Sequence, residues 1–193
     1  MKKQAIEKLR KEMEKCKYGS IVHGEGNMDA EMVLVGEAPG SKEVELGRPF
    51  VGQAGKNLDE FLEIVELERK EIYITNVVKT RPYKINPKTG RKNNRPPNKE
   101  ELMFFKGRLH EELKLIGPKL IVTLGNTALR AVTQQGTLTI SDVHGQAIEK
   151  NGKDFRVFPL YHPAAIIYNR ALRPVYMEDL KKLKEHIYRK KVK

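Results

Sequence analysis

The chain has 193 residues, of which 39% are hydrophobic, so it is long enough to bury one full core, and length alone favours a single domain. Lysine and arginine total 37 against 25 aspartate and glutamate, and this net charge of +12 favours an anionic partner, with nucleic acid ahead of an anionic membrane surface. No apolar run approaches the ~20 residues that a membrane-spanning helix needs, and the N-terminus lacks the apolar core of a signal peptide, so a cytoplasmic protein is expected.

The first predicted helix covers residues 3–16, where Ile6, Leu9 and Met13 recur at helical spacing. Cys16 lies on the same apolar stripe, and as the one cysteine of the chain it can form no internal disulfide. One thiolate by itself also cannot hold a structural zinc ion or an iron-sulfur cluster. A buried, inert thiol is therefore the favoured interpretation.

The rest of the chain alternates between predicted strands and helices, with no internal repeat. Continuous apolar or β-branched runs predict strands at residues 32–35, 72–78, 120–124 and 155–161. Apolar residues at helical spacing predict helices around residues 58–65, 102–113 and 176–187, the second of them after a Pro-Pro-Asn signal that is typical of a helix start. Strands that alternate with helices predict an α/β fold in which helices cover both faces of a parallel sheet.

Positive charge is concentrated in two stretches of the sequence. A phosphate backbone would relieve the repulsion among the like charges of the first, so this basic loop favours contact with nucleic acid over a flexible, solvated insertion. The second stretch, residues 181–193, has seven basic residues against Glu185, and a solubilising end is at least as good an interpretation there. The basic loop covers residues 79–99 and contains no acid and eight basic residues, namely Lys79, Arg81, Lys84, Lys88, Arg91, Lys92, Arg95 and Lys99.

Four residues with useful chemistry fall at predicted strand ends or in nearby loops, where a parallel sheet places its ligands. Glu37 follows the first predicted strand and precedes a Pro-Gly turn, and His162 ends the last strand before a proline. Phe50 lies in a loop poor in other aromatic residues, and Asn76 interrupts an apolar run although Asn is a poor strand former. Each has an ordinary alternative: a solvated carboxylate, a structural imidazole, a ring that plugs the core edge, or a turn-forming amide.

The same four residues suit the cleavage of a base from deoxyribose. Positive charge develops on the sugar and negative charge on the leaving base, so a carboxylate and a hydrogen-bond donor are needed, and Glu37 and His162 supply them. The base must be extruded from the stack, which requires an aromatic face and an amide that reads its edge, as Phe50 and Asn76 offer. Residues 164–167, after the His-Pro pair, are available as an apolar wedge that fills the gap left in the duplex.

Six motifs of the chain resemble, in order, those of the thermophile-type, iron-sulfur branch of the uracil-DNA glycosylase superfamily. The resemblance runs from about Cys16 to the last helix, and the glycine-proline-phenylalanine loop is its most specific part. It implies a three-layer α/β/α sandwich with a central four-stranded parallel sheet, in one domain of residues 1–193 that carries the basic loop as an insertion. The motifs lie at residues 24–27, 36–40, 47–55, 75–79, 124–129 and 162–163.

The resemblance also implies roles for individual residues. Glu37 and Glu43 match acidic positions, with Glu37 the better candidate for positioning water or stabilising the sugar cation, and His162 matches the donor to O2 of uracil. Phe50 matches the ring that stacks on uracil and Asn76 the amide that reads it. The implied catalytic residues are thus Glu37, His162 and Glu43, and the implied substrate-binding residues are Gly36, Ala38, Phe50 and Asn76. The implied DNA-binding residues are Lys79, Arg81, Lys92, Arg95, Pro163, Ala164, Ile166 and Asn169.

The chain departs from the iron-sulfur branch at the cluster itself. The family places four cysteines, of which only Cys16 is present here, with Gly19, Thr80 and Phe105 at the other positions. A cubane cluster needs four ligands, usually all thiolates, so we expect no iron-sulfur cluster, no other metal and no catalytic cofactor. Phe105 lies on an apolar helix stripe, which suggests that hydrophobic side-chain packing replaces the iron-sulfur cluster as the structural link in this region.

These observations favour a cluster-free uracil-DNA glycosylase of base-excision repair, which acts as a monomer on single- or double-stranded DNA containing uracil. The alternative is a catalytically weak or inactive DNA-binding relative that lost turnover along with its cluster. A nucleotide-phosphate binder lacks support, because no Gly-x-x-x-x-Gly-Lys-Ser/Thr motif is present and residues 24–26 lack the third glycine of the dinucleotide fingerprint.

Overall fold

A computed structural model describes residues 1–149 and 155–188 of the chain. Its elements, in chain order, are α1 (Lys2–Glu14), β1 (Glu25–Gly26), β2 (Met32–Gly36), α2 (Ser41–Leu46), α3 (Gln53–Ile64), a 3-10 turn (Arg69–Glu71), β3 (Tyr73–Asn76), β4 (Tyr83–Ile85), β5 (Lys92–Asn94), α4 (Lys99–Ile116), β6 (Leu120–Leu124), α5 (Gly125–Thr133), α6 (Ile140–Val143), β7 (Ile148–Glu149), β8 (Arg156–Leu160), α7 (Pro163–Tyr168) and α8 (Leu172–Tyr188).

The main sheet has the strand order β1-β3-β2-β6-β8-β7 within the described residues. The four central strands are parallel, as predicted, and β1 and β7 add one short antiparallel strand to each edge. Each edge strand has only two residues, which is too short to give an alternating pattern that sequence analysis can detect. The register pairs Gly36 with Asn76, so the ends of β2 and β3 lie side by side.

The two faces of the sheet bury separate hydrophobic clusters, because neighbouring strand residues point to opposite faces. Val33 and Val35 of β2 belong to the cluster that includes α1, α4 and α5, whereas Leu34 belongs to the cluster that includes α3 and α8. The predicted three-layer α/β/α sandwich is confirmed. No helix in the described ranges is long and apolar enough to cross a lipid bilayer.

Part of the segment predicted as a basic loop, residues 79–99, is regular secondary structure. Strands β4 and β5 pair as an antiparallel hairpin. The guanidinium of Arg81 closes its base by donating to Asn94 Oδ1 at 2.7 Å and to the Lys92 carbonyl at 3.0 Å. Arg95 forms a forked ion pair with Glu101, at 2.7 and 2.8 Å, where α4 begins. Two of the predicted DNA-binding arginines therefore also hold the hairpin in place.

Lys79 was predicted to contact DNA, and its position in the structure contradicts this. The side chain is fully buried, and its ammonium donates to Thr75 Oγ1 at 2.5 Å, to the Asn76 carbonyl at 2.7 Å and to Glu112 Oε2 at 2.6 Å. Burial lowers the pKa of Lys79, and the carboxylate of Glu112 opposes this shift. Lys79 is thus a core ion-pair partner that lies behind the end of β3.

The two ends of the chain fit the predictions in part. The first helix ends at Glu14, and Cys16 lies just beyond it, partly buried against the cluster around α1 and α4. The C-terminal basic stretch is helical through Tyr188, and its remaining residues, 189–193, lie outside the described residues.

Candidate active site

Three of the predicted site residues lie where parallel strands end. Glu37 follows β2, Asn76 is the last residue of β3, and His162 comes two residues after β8. Because these strands are parallel, their carboxyl ends meet at the same edge of the sheet. The helix α5 starts at this edge too, and a β-carbon added to Gly125 would lie 3.3 Å from His162 Cβ.

Phe50 and Asn76 converge on Gly36. A β-carbon added to Gly36 would lie 2.4 Å from Asn76 Oδ1 and 2.5 Å from Phe50 Cζ, so no other residue fits without displacing both side chains. The Phe50 ring also stacks beside the His162 ring, with centroids 6.3 Å apart and planes inclined by 28°. The ring is only 5% exposed and packs in the α3/α8 cluster, so it both closes the core edge and forms a wall of the site.

The Asn76 side chain is buried, but its amide is not engaged by the protein. No group in residues 1–149 or 155–188 hydrogen-bonds this amide, although the residue is only 3% exposed. Its backbone is held firmly, because the carbonyl accepts from Lys79 Nζ and the following amide of Val77 donates to the Gly36 carbonyl at 2.9 Å. Neither polar atom of the Asn76 side chain is among the fully buried atoms that lack a hydrogen-bond partner, so the amide keeps contact with solvent and is available to a ligand.

His162 caps the N-terminus of α7 in a way that selects its tautomer. Its Nδ1 accepts a hydrogen bond from the Ala164 amide at 3.1 Å, so the neutral ring carries its proton on Nε2. Burial lowers the pKa of His162 to about 4, because desolvation disfavours the charged ring. At neutral pH this residue is an uncharged hydrogen-bond donor at Nε2.

Glu37 is oriented by a residue to which sequence analysis gave no role. Thr127, in the first turn of α5, donates from its hydroxyl to Glu37 Oε2 at 2.5 Å. The carboxylate is partly buried, and its second oxygen is not engaged by any described residue. Thr127 belongs to the motif at residues 124–129 that resembles the family. Its hydrogen-bond partner becomes evident only from the contact between α5 and the loop that follows β2.

The predicted catalytic role of Glu43 conflicts with its contacts. Its side chain is 8% exposed, and one oxygen accepts from the Gly40 amide at 3.1 Å while the other accepts from the amides of Val51 and Gly52 at 3.2 and 2.7 Å. Glu43 therefore ties the loop after β2 to the loop that carries Phe50. Because both oxygens are used by backbone amides, we assign Glu43 a structural role.

The residues predicted to contact DNA after His162 do not form one surface. Pro163 and Ile166 are buried, and Ile166 packs into the α3/α8 cluster, so this member of the predicted wedge at residues 164–167 is not free to enter the duplex. The exposed apolar residues of α7 are instead Ile167, at 44%, and Tyr168, at 90%. Among the other predicted contacts, Ala164 is half-buried, Asn169 is exposed at the end of α7, and Ala38 is half-buried against the opposite cluster.

The positions that match cluster cysteines do not fit a metal cluster. Phe105 is fully buried, stacks edge-on with Phe104 at 4.9 Å and lies 6.5 Å from Tyr18 between ring centroids. Thr80 is also fully buried, and its hydroxyl has no hydrogen-bond partner among the described residues. In the described part of the chain, no group of three His, Cys, Asp or Glu side chains is placed to hold a metal ion. An aromatic cluster occupies this region.

Fold and site together define an α/β protein in which a ring, an amide and an imidazole lie at the edge of the sheet where the parallel strands end. Residues 23–187 match the family model described as the uracil DNA glycosylase superfamily. The chain is 39% identical to the type-4 uracil-DNA glycosylase of Sulfurisphaera tokodaii, over 94% of this chain and 84% of that protein. It is 43% identical to the type-4 enzyme of Archaeoglobus fulgidus, over 86% and 81%, and 30% identical to the type-5 enzyme of Pyrobaculum aerophilum, over 86% and 76%. The chain therefore belongs to the uracil DNA glycosylase superfamily.

The tautomer and pKa of His162 are directly measurable. Long-range ¹⁵N–¹H spectra recorded between pH 8 and pH 4 should show a neutral ring with its proton on Nε2 until the pH approaches about 4. Because the unfolded imidazole binds a proton near pH 6.5 and the folded one only near 4, this residue's contribution to stability falls as the pH drops through that window. The spectrum of His162→Gln assigns the resonance. Titration near pH 6.5, or a proton on Nδ1, would contradict the capping geometry.

Proposed function

We propose that this chain is a uracil-DNA glycosylase, which hydrolyses the N-glycosidic bond of deoxyuridine in DNA after the nucleotide is flipped out of the duplex. The observation that carries the proposal is the convergence of the Phe50 ring, the unengaged Asn76 amide and the neutral His162 ring at one edge of the sheet. The relatives support this proposal, since those at 36% to 43% identity are type-4 uracil-DNA glycosylases.

Recognition of uracil follows from the shape of the site. The Phe50 ring offers a flat apolar face, on which a pyrimidine stacks. The Asn76 amide offers both a donor and an acceptor, which matches the N3–H and carbonyl groups at the edge of uracil. Gly36 has no β-carbon and thereby lets both side chains approach the end of β2, where the base is proposed to bind.

The chemistry requires that charge be stabilised at two places. When the glycosidic bond breaks, its electron pair leaves with uracil, and the base oxygen becomes anionic. The Nε2–H of His162 donates to that oxygen without bringing a positive charge into the ground state. The Glu37 carboxylate, held by Thr127, stabilises the sugar cation and orients the water that adds to it.

Two exposed features are suited to contact the DNA. The β4–β5 hairpin presents Lys92, which lies 4.5 Å above the Tyr83 ring, together with Lys84, Lys88 and Arg91. A cationic two-stranded ribbon of this kind neutralises phosphates. At the end of α7, Ile167, which belongs to the predicted wedge of residues 164–167, and Tyr168, which follows it, form an exposed apolar tip. Action as a monomer and a cytoplasmic location stay predictions.

We propose further that the enzyme works without an iron-sulfur cluster. The support is the fit of the residues: the chain has one cysteine, and the rings of Tyr18, Phe104 and Phe105 pack together in the region. The guanidinium of Arg108 lies 3.9 Å above the Phe104 ring and adds a cation–π contact to this group. These contacts join the segment after α1 to α4, next to the base of the hairpin.

Incubation with uracil-containing oligonucleotides tests the activity. Alkaline cleavage should reveal abasic sites formed over many turnovers, and His162→Ala should reduce the single-turnover rate by ~10²–10³-fold, as for loss of one oxyanion donor. DNA binding should be retained. A matched control is His186→Ala, which removes an imidazole from α8 and should leave the rate unchanged. Salt-sensitive DNA binding with no product at stoichiometric enzyme would instead identify an inactive DNA-binding relative.

The apolar tip of α7 predicts a difference between substrates. Tyr168→Ala should slow uracil release from duplex DNA by about ten-fold or more, because the gap left by the flipped base is no longer filled. Release from single strands should hardly change, since no stacked partner has to be replaced, and Tyr168→Phe should behave like the wild type on both. An equal loss on both substrates would show that Tyr168 has no wedge function.

The aromatic cluster predicts a metal-free protein whose stability depends on Phe105. The purified protein should be colourless, and elemental analysis should find no stoichiometric iron. Phe105→Ala should lower the free energy of unfolding in urea by ~3–5 kcal/mol, whereas Met103→Ala, at a position 68% exposed on the same helix, should change it by less than ~1 kcal/mol. A brown preparation with about four irons per chain would overturn this part of the proposal.

A further inference from the structure

The backbone of Phe50 adopts a conformation that needs support from its surroundings. Its φ is +53°, in the left-handed region that non-glycine residues rarely occupy. The loop is also close-packed, because a β-carbon added to Gly55 would lie 2.2 Å from the Phe50 carbonyl oxygen. Such conformations persist only where neighbouring groups determine them, and they occur often at functional sites.

The guanidinium of Arg69 provides that support to the backbone of the Phe50 loop. Arg69 is the first residue of the 3-10 turn before β3, and its guanidinium donates to the Pro49 carbonyl at 2.9 Å and to the Phe50 carbonyl at 3.1 Å. The planar fork of an arginine suits two successive carbonyls, whereas a lysine offers one point charge. One residue thus holds both peptide groups that flank the Phe50 side chain.

Two carboxylates fix the direction of the Arg69 side chain. Asp59 Oδ1, on α3, accepts from the guanidinium at 3.3 Å, and Glu25 Oε1, on β1, lies 3.8 Å from it. Glu25 is held in turn by a forked ion pair with Arg48, at 2.9 Å for each contact. The side chain is 28% exposed, so its contacts to the loop lie at the edge of the core and not deep within it.

We propose that Arg69 is a positioning residue for uracil recognition, which holds the Pro49–Phe50 carbonyls and thereby sets the plane of the ring on which the base stacks. This inference rests on the proposed function, because it assumes that Phe50 stacks on uracil. Arg69 does not touch the base. It acts through Phe50, so removing Arg69 should matter only while the Phe50 ring is present.

A double-mutant cycle between Arg69→Ala and Phe50→Ala tests this coupling. Arg69→Ala alone should reduce kcat/KM by ~10–100-fold, the usual effect of losing an orienting partner, and should weaken inhibition by free uracil to a similar extent. In the Phe50→Ala background the same change should cost less than about three-fold. A purely structural role predicts an equal loss in both backgrounds and unchanged uracil inhibition of the folded protein.

Lys70→Ala is the matched control, because Lys70 is the next residue of the same 3-10 turn, is exposed and pairs with Glu68 and not with the loop carbonyls. It should leave uracil inhibition within about two-fold of the wild type. If Arg69→Ala does not fold, the same double-mutant cycle is made with Arg69→Lys. Its expected effect is smaller, since a lysine can still reach one of the two carbonyls. An active wild type with additive losses would overturn the role of Arg69 alone, whereas an inactive wild type would overturn the proposed function as well.

Discussion

The close approach of the Asn76 and Phe50 side chains to Gly36 is the constraint on which the rest of the site depends. Parallel pairing places Gly36 next to Asn76, and only the absence of a β-carbon lets the Phe50 ring reach the same point. The loops on either side follow from this contact. Glu43 bridges them with both carboxylate oxygens, and Gly40 and Gly52 have no side chains because a β-carbon at either would lie within 3.0 Å of that carboxylate.

An ion pair in the core supports the backbone of Asn76, whose side-chain amide is proposed to recognise uracil. Lys79 and Glu112 lie behind β3, and the pair holds the Asn76 carbonyl while the hydroxyls of Tyr73 and Thr75 satisfy the carboxylate. A buried charge pair seldom adds net stability, but removing one partner leaves the other buried and unpaired. The ion pair therefore helps to hold the backbone from which the Asn76 side chain projects at the end of β3.

Sequence analysis predicted the features that depend on residues close together in the chain. Continuous apolar runs identified the four parallel strands, and Glu37, Asn76 and His162 were singled out because a parallel sheet binds its ligands where its strands end. Contacts between distant segments were not predictable in this way. The charges of Glu43 and Lys79 suggest side chains that face solvent or DNA. Lys79 is nevertheless buried, and it pairs with a glutamate 33 positions further along the chain. Arg69 and Thr127 lack any local signal, since each becomes meaningful only through its partner across the fold.

The neutral state of His162 connects the fold to the proposed chemistry. A protein with a net charge of +12 attracts DNA through its surface, so the site itself does not need a cation to bind the substrate. A protonated imidazole would add a positive charge to a site in which the proposed reaction develops a sugar cation. The N-cap of α7 avoids this, because the Ala164 amide occupies Nδ1 and burial disfavours a second proton. The same hydrogen bond that starts a short helix thereby leaves Nε2–H as the donor of the ring, and in the proposed reaction the charge separation along the glycosidic bond is stabilised by the Glu37 carboxylate and this neutral donor.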